Sequence, residues 1–217
     1  MRTSTLQTDV FETYAAAYDN WFDKNQALYQ VELEAVRGSM PSIGTGVEIG
    51  VGTGRFAAPL GISIGVEPSS KMAEVAKRRG IAVVKAAAEA LPFAAGVFDF
   101  VLMITVVCFL DDVSLAFREA RRILKKQSVL IIAFIDRNSE LGQQYEKTKL
   151  QSRFFKTATF YAASDLEYCL TDAGFSGFAY RQTLFPDQPD IPHIENGHGK
   201  GGFVVVRAVR CHQSMGK

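Results

Sequence analysis

The stretch Gly46-Val47-Glu48-Ile49-Gly50-Val51-Gly52-Thr53-Gly54-Arg55-Phe56 decides the architecture. VEI at 47–49 reads as a short buried strand. The alternating glycines after it permit a sharp turn and a close approach of backbone to a ligand. A helix is expected to start at once, near 53–60, with its unpaired amides facing that ligand. Two registers are open. Gly52 to Ala57 fits GxGxxA, a dinucleotide fingerprint. Starting at Glu48, the same residues read E-x-G-x-G-x-G. A carboxylate ahead of the glycines suits a ligand with a cationic amino group and repels a pyrophosphate. S-adenosylmethionine (SAM), with its α-amino group and sulfonium centre, meets that requirement.

Downstream, strand and helix alternate. ISIGVE at 62–67 is a second strand closed by Glu67, whose carboxylate can accept hydrogen bonds from both hydroxyls of a ribose. Nicotinamide and SAM enzymes share that feature. Ser69 or Ser70 caps the next helix, which turns Met72, Val75 and Ala76 inward and ends at Gly80. Lys77, Arg78 and Arg79 sit in its last turn, where cations favour the helix dipole, so KRRG reads as a helix end rather than a binding patch. IAVVKA at 81–86, FDFVLMIT at 98–105 and SVLIIAFI at 128–135 are further strands. A helix over 112–126 begins at Asp111 and Asp112 and buries Val113, Ala116, Phe117, Ala120, Ile123 and Leu124. The order predicts an α/β fold: a Rossmann-like, doubly wound, mostly parallel sheet with helices on both faces. Residues 138–158 read as an inserted helix and loop, 163–173 as a helix, and 178–185 and 201–209 as two last strands.

Upstream, residues 7–37 form one or two helices with an apolar face of Val10, Tyr14, Ala17, Tyr18, Trp21 and Phe22. Gly38, Pro41, Gly44 and Gly46 break the chain there. The 217 residues are therefore expected to form one domain: a helical cap at 1–40, a ligand-binding core at 46–136, and an insert helix with a C-terminal hairpin at 137–217.

Composition narrows the function classes. With 47% hydrophobic and 22% charged residues, the chain can bury one sizeable core. A net charge of +1 offers no electrostatic footprint for nucleic acid. The opening MRTSTLQTDV lacks the apolar stretch of a signal peptide, and VLMITVVCFL at 101–110 is too short to cross a bilayer, so no membrane partner is expected. Cys108, Cys169 and Cys211 are dispersed and odd in number, which is neither a disulfide framework nor a zinc pattern. No metal is expected, and a reducing cytoplasm is the expected compartment.

Four segments in order, VEIGVGTG, GVEPSSKM, AEALPFAAGVFDFVLM and REARRILKK before SVLII, resemble the class I SAM-dependent methyltransferases, in particular the group of ubiquinone and menaquinone biosynthesis enzymes. The resemblance covers about residues 46–136. It implies a seven-stranded sheet whose last two strands form an antiparallel hairpin, with SAM as cofactor and S-adenosylhomocysteine as product. It also implies that Glu48, Gly50, Gly52 and Gly54 surround the methionine moiety, that Glu67 holds the ribose, and that Pro68 packs near the adenine. Ala87, Ala88 and Glu89 match the adenine edge; Ile104 and Thr105 match the methionine and sulfonium side. Many members carry Asp in place of Ala87, which leaves backbone groups or Glu89 to meet the adenine. Lys126-Gln127-Ser128 replaces the usual Pro-Gly-Gly turn, and Cys108 and Phe109 stand near a position often held by His.

The expected function is methyl transfer from SAM to a small-molecule acceptor. That chemistry needs orientation and a dry site, and a base only when the acceptor arrives protonated. Tyr14, Tyr18 and Trp21 could close over the cofactor, with Tyr18 reaching its carboxylate, or could simply pack as a helix face. His193 and His198, in the loop IPHIENGHGKGG, are the candidate bases; solvated loop histidines are the plainer reading. A nicotinamide-dependent oxidoreductase and a non-catalytic SAM-binding module are the alternatives.

Overall fold

The computed structural model describes residues 3–187 and 193–211. Strand alternation explains its layers. Along β1 (Gly46–Ile49), β4 (Phe98–Ile104) and β5 (Leu124–Ile135) successive side chains point to opposite faces of the sheet. Val47, Ile49, Val101, Met103, Leu130 and Ile132 join one buried cluster, while Phe100, Leu102, Ile104, Val129, Ile131 and Ala133 join a second. Both faces therefore need cover. The helices α4 (Val113–Ile123) and α6 (Ala163–Asp172) supply Phe117, Ala120, Leu166 and Leu170 to the first cluster. The helices α2 (Gln26–Arg37) and α3 (Ser70–Arg78) supply Tyr29, Leu33, Val36 and Ala76 to the second.

The parallel half of the sheet is completed by β2 (Ile64–Val66) and β3 (Ala82–Val84). Antiparallel strands follow β5: β8 (Phe203–Arg210), then β6 (Phe175–Thr183), then β7 (Glu195–Asn196) at the edge. The order is β3-β2-β1-β4-β5-β8-β6-β7. Eight strands replace the expected seven. The extra one is two residues long, and Glu and Asn carry no strand propensity that would announce it. Gln182 holds the adjoining loop by accepting the Lys200 and Gly201 amides at 2.9 Å each.

Two caps fall where expected. Ser69 accepts the Met72 amide at 3.3 Å ahead of α3, and Asp112 accepts the Leu115 amide at 2.8 Å ahead of α4. The helix expected near 53–60 is absent; turns occupy that stretch. Gly54 is left-handed at φ +81°, and Pro59 has no amide to donate, so a regular ladder cannot run through it. The Lys126-Gln127-Ser128 turn lies in an irregularity of β5: Phe98 pairs with Leu124 and Phe100 with Val129, with Gln127 at φ +61°.

The first helix, α1 (Thr3–Lys24), kinks at Tyr14, where φ is −117° and ψ is 23°. Its inward face is Phe11, Ala15, Tyr18 and Phe22, a rotation from the predicted face, and Tyr14 is exposed. The insert between β5 and α6 contains α5 (Glu140–Thr148). Among the described residues no helix is long and apolar enough to cross a membrane.

Candidate active site

The strand order reverses between β1 and β4, and in open α/β sheets ligands bind beyond the carboxyl ends of the strands at such a point. A cavity lies there. Its floor comes from the ends of three strands: Ile49 and Gly50, Val66 and Glu67, Ile104 and Thr105. Pro68, Ala87, Ala88 and Glu89 form one wall, and Thr8, Phe11 and Tyr18 of α1 cover it. Nine of the eleven residues matched to the cofactor from the sequence thus converge on one cavity: Gly50, Gly52, Glu67, Pro68, Ala87, Ala88, Glu89, Ile104 and Thr105.

Glu67 is buried, and its two oxygens accept the Gly52 and Ser69 amides at 2.9 Å each. Burial pushes its carboxyl up to about 7, against the opposing pull of those amides. Each oxygen keeps a lone pair for a further donor. Gly52, at φ +54°, presents bare backbone to the cavity, with Tyr18 Cε1 and Met72 Cε each 3.8 Å from where a Cβ would stand. Glu89 accepts the Asp111 amide at 3.1 Å, which fixes the far wall.

Glu48 and Gly54 do not line the cavity. Val47 and Ile49 face the first cluster, so the pleat turns Glu48 to the opposite face, where it is 2% exposed. Burial raises its carboxyl well above the usual range, and the Ala57 amide only partly offsets this. Its Oε2 meets no hydrogen-bond partner among the described residues. Gly54 serves packing: a Cβ there would stand 2.5 Å from Ile81 Cδ1.

Two polar anchors hold α1 over the site. Glu12 accepts from Ser69 Oγ at 2.6 Å and from the Lys71 amide at 3.1 Å. Asp19 takes both Nε and Nη2 of Arg55 at 2.9 Å, and Arg79 Nη2 at 2.8 Å. Hydrogen bonds from the two guanidiniums outweigh burial and hold Asp19 down at about 2. Arg79, from the basic run, is thereby a structural tie; it also donates to the Thr53 carbonyl at 2.7 Å.

A second cavity adjoins the first. Phe11, Tyr18, Thr105 and Phe109 line both. Thr105 is held at φ +51°, a conformation that costs a β-branched residue about 1–3 kcal/mol. The other walls include Trp21, Phe22, Tyr145, Phe154 and Phe155, together with Glu32 of α2. Tyr18 thus sits between the two spaces, its hydroxyl beside the Thr105 side chain, and burial raises its proton affinity. Trp21 reaches only the second cavity, and Tyr14 reaches neither; Arg153 covers the Tyr14 ring at 4.3 Å.

The candidate bases in the loop are elsewhere. His193 stacks on Phe185 at 4.3 Å with Nε2 3.2 Å from Glu195, and His198 packs edge-on against Tyr180. Neither lines either cavity. Cys108 is not activated: burial pushes its thiol up to about 12. Sequence reasoning missed Glu32 and Phe11. The signal for Glu32 was present, because Tyr29, Glu32, Leu33 and Val36 have the spacing of one buried helix face.

A methyltransferase domain family matches residues 47–132. A SAM-dependent methyltransferase from Thermotoga maritima, described as a possible histamine N-methyltransferase, is 45% identical over 94% of this chain and all of that one, with a TM-score of 0.90. An uncharacterised protein of Methanocaldococcus jannaschii is 44% identical over 92% of this chain and 98% of its own length. One from Mycobacterium tuberculosis is 38% identical over 90% of this chain and 72% of its own length. The chain belongs to the class I SAM-dependent methyltransferase family, and SAM is its cofactor.

Proposed function

We propose that this protein transfers the methyl group of SAM to a small molecule held in the aromatic cavity. The observation that carries this reading is the shared wall: two cavities meet at Phe11, Tyr18, Thr105 and Phe109. The donor set fits the cofactor. Glu67 offers carboxylate oxygens to ribose hydroxyls, Gly50 and Gly52 let the methionine portion approach bare backbone, and Pro68 and the 87–89 segment enclose the adenine. Ile104 and Thr105 border the sulfonium side. Bound there, SAM supplies an electrophilic methyl group. The protein aligns the acceptor with it and keeps water out. Glu48 and Gly54 act behind this surface, shaping the turn. The motif likeness to quinone-biosynthesis methyltransferases fits a flat, ring-bearing acceptor among Trp21, Phe154 and Phe155. Three free cysteines fit a reducing cytoplasm.

Calorimetry with S-adenosylhomocysteine, SAM and NAD tests the assignment. Both sulfur nucleosides should bind and NAD should not. Glu67→Ala should weaken S-adenosylhomocysteine about tenfold or more, the value of hydrogen bonds to a charged group. NAD binding, or an unchanged affinity in Glu67→Ala, would refute the corresponding contact. Binding without turnover on any acceptor would favour a non-catalytic SAM-binding module.

A further inference from the structure

Carboxylates on amphipathic helices normally face water; Glu32 faces the second cavity and is 7% exposed. Among the described residues no donor or cation meets its carboxyl, and burial pushes it up to about 8. The titratable groups that share the cavity are Tyr18 and Tyr145, both kept neutral by burial. Among the described residues no Lys, Arg or His lines it.

Most of the remaining wall is ring systems, Trp21, Phe22, Phe154 and Phe155 among them, with Thr105 and Ile135 between. Ring faces attract cations, and a dry carboxylate attracts an N–H donor. An anionic acceptor would be repelled. A neutral hydroxyl acceptor would gain nothing from the ring faces and less from Glu32.

We propose that Glu32 and its aromatic surround form the acceptor subsite for a small ring-bearing primary or secondary amine, and that Glu32 both selects the amine and takes its proton. This rests on the methyl-transfer reading above. The acceptor enters as an ammonium, pairs with the ionised form of Glu32, which is populated as pH rises toward about 8, and passes one N–H proton to a carboxylate oxygen. The lone pair so exposed forms the N–C bond as the S–C bond of the cofactor breaks, and sulfur keeps the bonding pair and leaves as a neutral thioether. The proton affinity that burial gives Glu32 brings it closer to that of an amine, which makes the first transfer less uphill.

The test uses the protein saturated with S-adenosylhomocysteine, titrated calorimetrically with two matched pairs: phenethylamine against 2-phenylethanol, and tryptamine against tryptophol. At least one amine should bind tenfold or more tightly than its alcohol. Glu32→Gln, which keeps the shape and removes the charge, should erase that preference and leave S-adenosylhomocysteine affinity unchanged. With SAM, the N-methylated product should form at a rate that Glu32→Gln lowers at least tenfold. Failure of S-adenosylhomocysteine to bind would overturn the methyl-transfer reading itself. Retained cofactor binding with amines no better than alcohols, or a preference that survives Glu32→Gln, would overturn the amine subsite alone.

Discussion

At the scale of single residues, Glu32 and Glu67 are carboxyls held in surroundings that favour their protonated form, at about 8 and about 7 against an ordinary 4.5. The fold therefore binds their protons more tightly than the unfolded chain does. The stability this confers is complete below about pH 4.5 and is lost as pH rises toward 8. The melting temperature should accordingly fall between pH 5 and 8. Glu32→Gln, which cannot ionise, should flatten the fall and melt above the wild type at pH 8; differential scanning calorimetry across that range checks it. A variant that melts lower at pH 8 would mean that Glu32 supports the fold. Strand-end residues such as Glu67 and Thr105 were legible from sequence because topology alone carries them to the switch point. The side chain direction of Glu48 was not legible, because its motif position says nothing of the pleat, and Val47 and Ile49 decide which way it points.

Among the elements, α1 is fastened by ring contacts of Phe11, Tyr18 and Phe22 and by polar ties. Asp19 links it to Arg55 in the glycine turn and to Arg79 beyond α3, with 17% of its side chain exposed. Asp19→Asn should cost about 2 kcal/mol, less than the loss from a fully buried pair. It should also weaken S-adenosylhomocysteine severalfold, since Thr8, Phe11 and Tyr18 cover that cavity from α1. Chemical denaturation and calorimetry read the two effects separately. Because this carboxyl is held low, at about 2, its contribution is present above its ordinary 3.8 and vanishes as pH falls through 2. The sequence announced α3 and α4 through caps and three- and four-residue spacing. It misled over 53–60, where helix-forming Ala57, Ala58 and Leu60 are overruled by Gly54 and Pro59, and over α1, whose kink at Tyr14 turns Phe11 rather than Val10 and Tyr14 toward the site.

For the molecule as a whole, the cofactor cavity is assembled from β1, β2, β4 and α1, elements distant in the chain, so a ligand there resists global unfolding. S-adenosylhomocysteine at about 100 times its dissociation constant should add about 2.7 kcal/mol. In a domain of this size that raises the melting temperature by roughly 5–10 °C; no rise would mean that the ligand does not prefer the folded state. The sheet order was readable because buried β-branched strands alternate with capped helices. The second cavity was not readable, because its aromatic side chains come from α1, the turns after β1 and β4, and the insert, whose mutual approach no local pattern encodes. Tyr145, Phe154 and Phe155 all belong to that insert, which follows the five parallel strands in the chain. A lineage could therefore exchange this short stretch and acquire a new taste in acceptors while inheriting its methyl donor intact.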